Sequence, residues 1–315
     1  MKLATFLSGG NQRPHLGVVI NTTTLLDLTA ERAGSGRSHF ESMQTLIDAG
    51  QVGLESVKNI LQLASSDPSD STLVAINDVR FCAPIPQPRK NVFCVGLNYL
   101  DHIREGDKAQ DKQFTPQVFP EFFTKAPSTI IAAGEGIPSH TGTTSQLDYE
   151  GELGVVIGKR VVNLTEEDWS EAIFGYTVIN DISARDIQHS HKQWFKGKSL
   201  DGSCPMGPFI VTADEIPNPQ KLQIQTRVNG EVRQDMSTAQ MIFEVAEVLV
   251  ALTAGITLEP GDIIATGTPS GVGYAMNPPH FLKTGDQVSV TITGNVPRRP
   301  TGDASLSILL RTTYT

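Results

Sequence analysis

Three carboxylates carry the clearest chemistry in this chain. Glu150 and Glu152 alternate in the stretch Leu147-Asp148-Tyr149-Glu150-Gly151-Glu152-Leu153-Gly154-Val155-Val156-Ile157. That stretch reads as one β-strand, because it ends in β-branched residues and contains no proline. Strand residues alternate between faces, so both glutamates share a face with Gly154 and Val156. Like charges held side by side and partly out of water repel unless something neutralises them, and a divalent cation does so directly. Taken alone, Glu-x-Glu also suits a solvated pair on a sheet edge. Asp181 shifts the balance, because it is set into a second apolar run, residues 174–183, and an unpaired Asp is rarely buried in a strand. Glu150, Glu152 and Asp181 together form an all-oxygen set. Magnesium, manganese or calcium prefers such a set, whereas zinc and copper do not. Three protein ligands leave positions open for waters and a bidentate substrate. Replacing any one of them is expected to abolish metal-dependent activity and leave a folded protein.

A second constellation is His102-Ile103-Arg104-Glu105. His and Glu at i and i+3 lie on the same side of a helical turn. A carboxylate beside an imidazole orients it and raises its basicity, as a general base requires. Spacing alone favours a surface helix with chance neighbours. The polar, aperiodic residues 106–116 that follow suit a mobile loop or lid that orders over the site. Further on, the turn Thr266-Gly267-Thr268-Pro269-Ser270-Gly271-Val272-Gly273 lacks the Gly-Lys-Ser/Thr of a phosphate loop. Its backbone N–H groups and the Thr268 hydroxyl are suited to holding a carboxylate.

Five motifs in order make the chain resemble the fumarylacetoacetate hydrolase family over roughly residues 90–295. They are Asp148-Tyr149-Glu150-Gly151-Glu152, Asn180-Asp181-Ile182-Ser183-Ala184-Arg185-Asp186, the turn at 266–273, Gly96-Leu97-Asn98-Tyr99 running into His102 and Glu105, and the segment from Lys198 to Pro208. The resemblance implies a metal bound by Glu150, Glu152 and Asp181, with magnesium or manganese expected, and a catalytic His102/Glu105 dyad. It also implies an active-site Lys198 that stabilises developing negative charge, and substrate contacts from Arg185 and Gln188. The implied fold is α+β, a mixed β-roll or β-sandwich catalytic domain, and the implied assembly is a homodimer. The implied reaction is hydrolysis of a carbon–carbon bond in a 2,4-dioxo acid such as an acylpyruvate. The same site serves oxaloacetate decarboxylation, tautomerisation or isomerisation of 2-oxo acids, and a lyase acting on a ureido acid. Retention of both the triad and the dyad argues against an idle metal- or ligand-binding member.

The remaining chain has to position these groups. Residues 1–83 read as a small α+β module, with strands near 3–7, 16–20 and 22–28 and helices near 40–48 and 54–64. The alternating prolines of 84–90 read as an extended linker into a catalytic domain at 91–315. Lys125 reads either as a strand lysine that snorkels to the surface or as one that faces the site. Thr165 and Ser237 read as helix N-caps, Asn229-Gly230 as a hairpin turn, and 283–293 as a final hairpin strand. Short strands with tight turns argue against a doubly wound fold.

Composition narrows the partners. The formal net charge is -9 and Arg298-Arg299 is only a pair between prolines, so neither nucleic acid nor an anionic membrane is expected as a partner. An acidic protein with an anionic 2-oxo acid substrate needs local cations at its site. Cys82, Cys94 and Cys204 are dispersed and odd in number, which suggests reduced thiols in a cytoplasmic protein rather than a disulfide framework. No secretory signal or membrane helix is expected.

Overall fold

The computed structural model describes residues 1–10, 13–30, 38–64, 72–111, 113–114, 117–295 and 305–315. The Arg298-Arg299 pair lies outside the described residues. Two sheets dominate, one of thirteen strands and one of five. In the larger sheet Gly151–Ile157 and Ile173–Asn180 run antiparallel at the centre, and Ile263–Ala265 and Val92–Gly96 continue it toward Glu121–Lys125. The smaller sheet carries the hairpin Leu222–Val228 and Glu231–Ser237, then Gln287–Asn295 and Ser305–Tyr314. Asn229 and Gly230 make its turn with φ of 52° and 84°, the left-handed pair that a tight hairpin requires.

Strand alternation explains the layering. Leu153, Val155 and Ile157 face the smaller sheet and pack with Ile224, Val290 and Ile292. Val156 faces the other way, into a core with Ile179, Met206, Phe40, Leu46, Ile47 and Val57. The helices Met43–Asp48 and Gly50–Ala64 therefore cover the outer face of the large sheet. The strand Lys2–Ser8 joins that same sheet, pairing Leu3 with Ile210 beside the central pair. No helix among the described residues is long and apolar enough to cross a membrane.

Several local elements differ from expectation. The stretch 147–157 is not one strand: Leu147–Asp148 pairs with Ser183–Ala184, and the main strand starts only at Gly151. Asp181 lies just past the end of Ile173–Asn180 rather than within it. The break in each chain turns Glu150 and Asp181 toward each other, and the Asp181 N–H donates to the Glu150 carbonyl at 2.8 Å. Residues 106–109 form the last turn of the helix Leu100–Ala109 rather than a loop; of the rest of that segment, 112, 115 and 116 lie outside the described residues. Ser237 caps only the short 3-10 turn Thr238–Gln240, and the helix Val245–Thr253 begins at Glu244, whose capping box closes with Glu247. Thr165 likewise precedes a 3-10 turn, Trp169–Ala172, rather than an α-helix. Strand 287–295 is not the last, because Ser305–Tyr314 pairs alongside it.

Candidate active site

Glu150, Glu152 and Asp181 converge at the end of the central strand pair. All three are buried, and one ligand oxygen from each lies within 4.8 Å of the others. Glu150 is held by Arg185 Nη1 at 2.7 Å and Lys198 Nζ at 2.6 Å. Asp181 is held by Lys198 Nζ at 2.8 Å and Lys125 Nζ at 2.7 Å. Glu152 makes no ion pair among the described residues and accepts the Gly267 N–H at 2.7 Å. Burial raises Glu150, but Lys198 and Arg185 outweigh it and bring the carboxyl down to about 2. Burial, with Asp181 and Glu150 adding to it, holds Glu152 well above the usual carboxylate range. The donor set fits a hard divalent cation, being all oxygen, buried and close together, with one carboxylate short of positive charge.

His102 and Glu105 do meet, as the resemblance implies. His102 Nδ1 and Glu105 Oε1 lie 2.9 Å apart on the helix Leu100–Ala109, and His102 is buried. The glycine-rich turn does hold carboxylates, but they are the protein's own. Gly271 N–H donates to Glu105 at 2.8 and 3.0 Å, Gly267 to Glu152, and Gly273 and Tyr274 to Asp148 at 2.8 and 3.1 Å. The turn thus fixes one member of the dyad and one member of the triad at once. Gly271 has φ +105°, and a Cβ there would run into the Arg233 carbonyl. Gly271→Ala should lower stability by a few kcal/mol through backbone strain and overpacking. Displacing Glu105 by about 1 Å should also cost roughly 10²-fold in turnover; unchanged thermal midpoint and kcat would refute both.

Arg185 lies buried across the site, with Nε 2.9 Å from Asp148 Oδ2 and Nη1 3.0 Å from Gln188 Oε1. Its guanidinium stacks 4.3 Å above the Tyr274 ring, and Nη2 has no hydrogen-bond partner among the described residues. Arg185, Gln188, Thr268, Lys198, His102 and Tyr274 all line one cavity of about 250 Å³. Thr268 donates its hydroxyl to the Gly151 carbonyl at 3.1 Å and accepts from Gln234 Nε2 at 2.8 Å. Lys196 is exposed.

Lys125 does not snorkel. It is fully buried and donates to Asp181, to the Ile182 carbonyl at 3.1 Å, and to the Lys198 carbonyl. Its position beneath the triad follows from the register Val92↔Lys125 on the strand beside the site. Asp148, Asn98 and Gln234 also serve the site without having been singled out. Asn98 ties the start of the dyad helix to Thr266 and Phe243, donating to their carbonyls at 2.9 and 3.0 Å. Asp148 stands two residues before Glu150 in the motif, and that adjacency was its only local mark.

Comparison with known proteins agrees with this geometry. Residues 91–301 match the model of the fumarylacetoacetate (FAA) hydrolase C-terminal family. The chain is 45% identical over 286 residues to an oxaloacetate tautomerase from Bacillus subtilis, covering 89% of this chain and 93% of that one. Among solved structures it resembles a fumarylacetoacetate hydrolase from Exiguobacterium antarcticum, with TM-score 0.76 and 38% identity over 100% of this chain and 99% of that one. A maleylpyruvate hydrolase from Sphingobium, solved with manganese(II) and pyruvate, gives TM-score 0.72 and 26% identity over 100% of this chain and 99% of that one. Motifs, fold and site agree, and the chain belongs to the fumarylacetoacetate hydrolase family.

Proposed function

We propose that this protein catalyses keto–enol exchange of a small 2-oxo dicarboxylic acid of the oxaloacetate type. The carrying observation is that the buried His102, paired with half-buried Glu105, lines one cavity of about 250 Å³ with Glu150 and Glu152 of a triad suited to a divalent cation. That volume falls below the roughly 300–1,000 Å³ typical of drug-sized ligands and favours a short acid. The similarity to an oxaloacetate tautomerase supports the same choice.

Glu150, Glu152 and Asp181 would hold a divalent cation, which would supply Lewis-acid polarisation of a 2-oxo group and so acidify the adjacent C–H. Glu105 accepts the Nδ1–H of His102 and leaves Nε2 as the basic nitrogen. His102 takes a proton from the carbon beside the carbonyl and returns it to the enol oxygen. The reverse transfers regenerate the keto form, and no water is consumed. Arg185 and Gln188 line the cavity, where a guanidinium and an amide suit the substrate carboxylate. Lys198 stabilises negative charge as the proton leaves carbon.

A second reading, hydrolysis of an acylpyruvate, is supported by the likeness to the maleylpyruvate hydrolase. One experiment tests both. Enol absorbance of freshly dissolved oxaloacetate is followed with magnesium or manganese present, and pyruvate release is measured from a panel of acylpyruvates. Accelerated loss of enol absorbance without pyruvate release is expected. Faster pyruvate release from an acylpyruvate than exchange of oxaloacetate would overturn the first reading in favour of the second.

A further inference from the structure

A second cavity lies behind the glycine-rich turn. It encloses about 370 Å³ and shares no lining residue with the first; Tyr149 lines it, whereas the next residue, Glu150, lines the other. In a chain of net charge -9, its lining includes Arg233, Lys283 and His280. One carboxylate, Asp286, is also present, but its oxygens are taken by Asn229 Nδ2 and the Lys283 N–H, each at 2.8 Å.

Arg233 is half-buried, and besides Glu231 and the Tyr149 side chain its guanidinium meets only weak acceptors among the described residues. Its side chain is 13% exposed, and its carboxylate partner, Glu231 at 3.0 Å, is 69% exposed. Nη1 rests 2.9 Å from the Met276 thioether and 3.4 Å from His280 Nδ1, and Nε is buried without a hydrogen-bond partner among the described residues. A thioether and an imidazole nitrogen are poorer acceptors than the paired oxygens of an oxyanion, which a guanidinium takes in bidentate fashion.

We infer that this cavity is an anion site, taking a small carboxylate or phosphate between Arg233 and Lys283, and that its occupancy reaches the catalytic dyad. Tyr149 donates its hydroxyl to the Gly271 carbonyl at 2.9 Å. The Arg233 carbonyl packs directly on Gly271. Gln234, the next residue, donates to Thr268 at 2.8 Å and to the Pro269 carbonyl at 2.7 Å, and accepts the Gly151 N–H at 2.9 Å. An anion that draws Arg233 away from Met276 and His280 shifts the strand that props the turn, and Gly271 of that turn holds Glu105. Because the two cavities are distinct, the effect falls on turnover without competition for substrate.

The test uses the full-length protein loaded with magnesium. Inorganic phosphate and succinate are titrated separately by calorimetry, and turnover is followed in parallel. Saturable binding of either is expected, with kcat changed and KM for the 2-oxo acid unchanged; which of the two binds identifies the chemistry. Arg233→Met and Lys283→Ala should each weaken binding about tenfold or more. The Lys283 side chain is exposed, so Lys283→Ala should keep wild-type turnover without anion and carries the test if Arg233→Met fails to fold. Absence of saturable binding by both anions overturns the inference. So does binding that is competed by pyruvate and insensitive to Lys283→Ala. Calorimetry needs no turnover, so this failure is distinguishable from failure of the reaction proposed above.

Discussion

Replacing His102 by Ala is expected to slow keto–enol exchange by roughly 10²–10⁴-fold, the contribution of a positioned general base. The fold should survive, because the imidazole is held by Glu105 and lines a cavity rather than filling the core. Manganese binding should be unchanged, since Glu150, Glu152 and Asp181 are untouched. Decarboxylation of oxaloacetate should fall much less, because it needs an electron sink and no base. Glu105→Gln should follow the same pattern more weakly, as it loosens the imidazole without removing it. Rates for both reactions with both variants, at saturating metal, decide the matter. Undiminished exchange by His102→Ala would remove His102 from the proton transfer and make Lys198 the next group to examine.

The three carboxylates of the triad should not respond alike to substitution, contrary to the expectation from their types alone. Asp181 pairs with two buried ammonium groups, Lys125 and Lys198. Asp181→Asn leaves Lys125 buried without a carboxylate partner, while Lys198 keeps Glu150, and should destabilise the chelator-treated protein by roughly 3–5 kcal/mol. Glu152 is paired only with a backbone N–H, and its charge is opposed by burial and by its neighbours. Glu152→Gln should therefore abolish metal-dependent activity while leaving stability in chelator unchanged or slightly higher. Glu150→Gln should fall between, since Arg185 and Lys198 keep Asp148 and Asp181 as partners. Urea unfolding of the three variants with chelator gives the order. Equal midpoints for Asp181→Asn and Glu152→Gln would show that the two lysines contribute nothing to holding the triad.

What was legible in the sequence was what is written locally. The Glu150/Glu152 pair, the His102/Glu105 dyad and the hairpin at Asn229-Gly230 each lie within a few residues, and their types and spacing name their chemistry. Strand alternation placed Leu153 and Val155 on one face and Val156 on the other, as the two cores show. It could not show that Glu150 sits in a break, because the strand ends where Asp148 turns to Arg185 and to the N–H groups of Gly273 and Tyr274. The two readings of Lys125 stay open in the sequence for the same reason: its partners, Asp181 and the Lys198 carbonyl, are distant in sequence and meet it through the pairing of Glu121–Lys125 with Val92–Gly96. The glycine-rich turn was recognised as a holder of carboxylates, but which ones depends on tertiary closure. A helix start at Ser237 failed because the chain first forms a 3-10 turn there and Glu244 supplies the stronger cap.

The pairing of Leu3 with Ile210 also bears on how the chain is made. During synthesis Lys2–Ser8 can pair at once with His15–Val19, and a little later with Val79–Phe81 along part of its other edge. The segment that pairs with Phe209–Val211 has to wait until two thirds of the chain has left the ribosome. Until then an apolar strand edge stands open, and such edges recruit other nascent chains. Closure of this non-local seam is the step expected to limit the folding rate, so yield in cells should respond more to chaperone supply and growth temperature than to the stability of the finished protein.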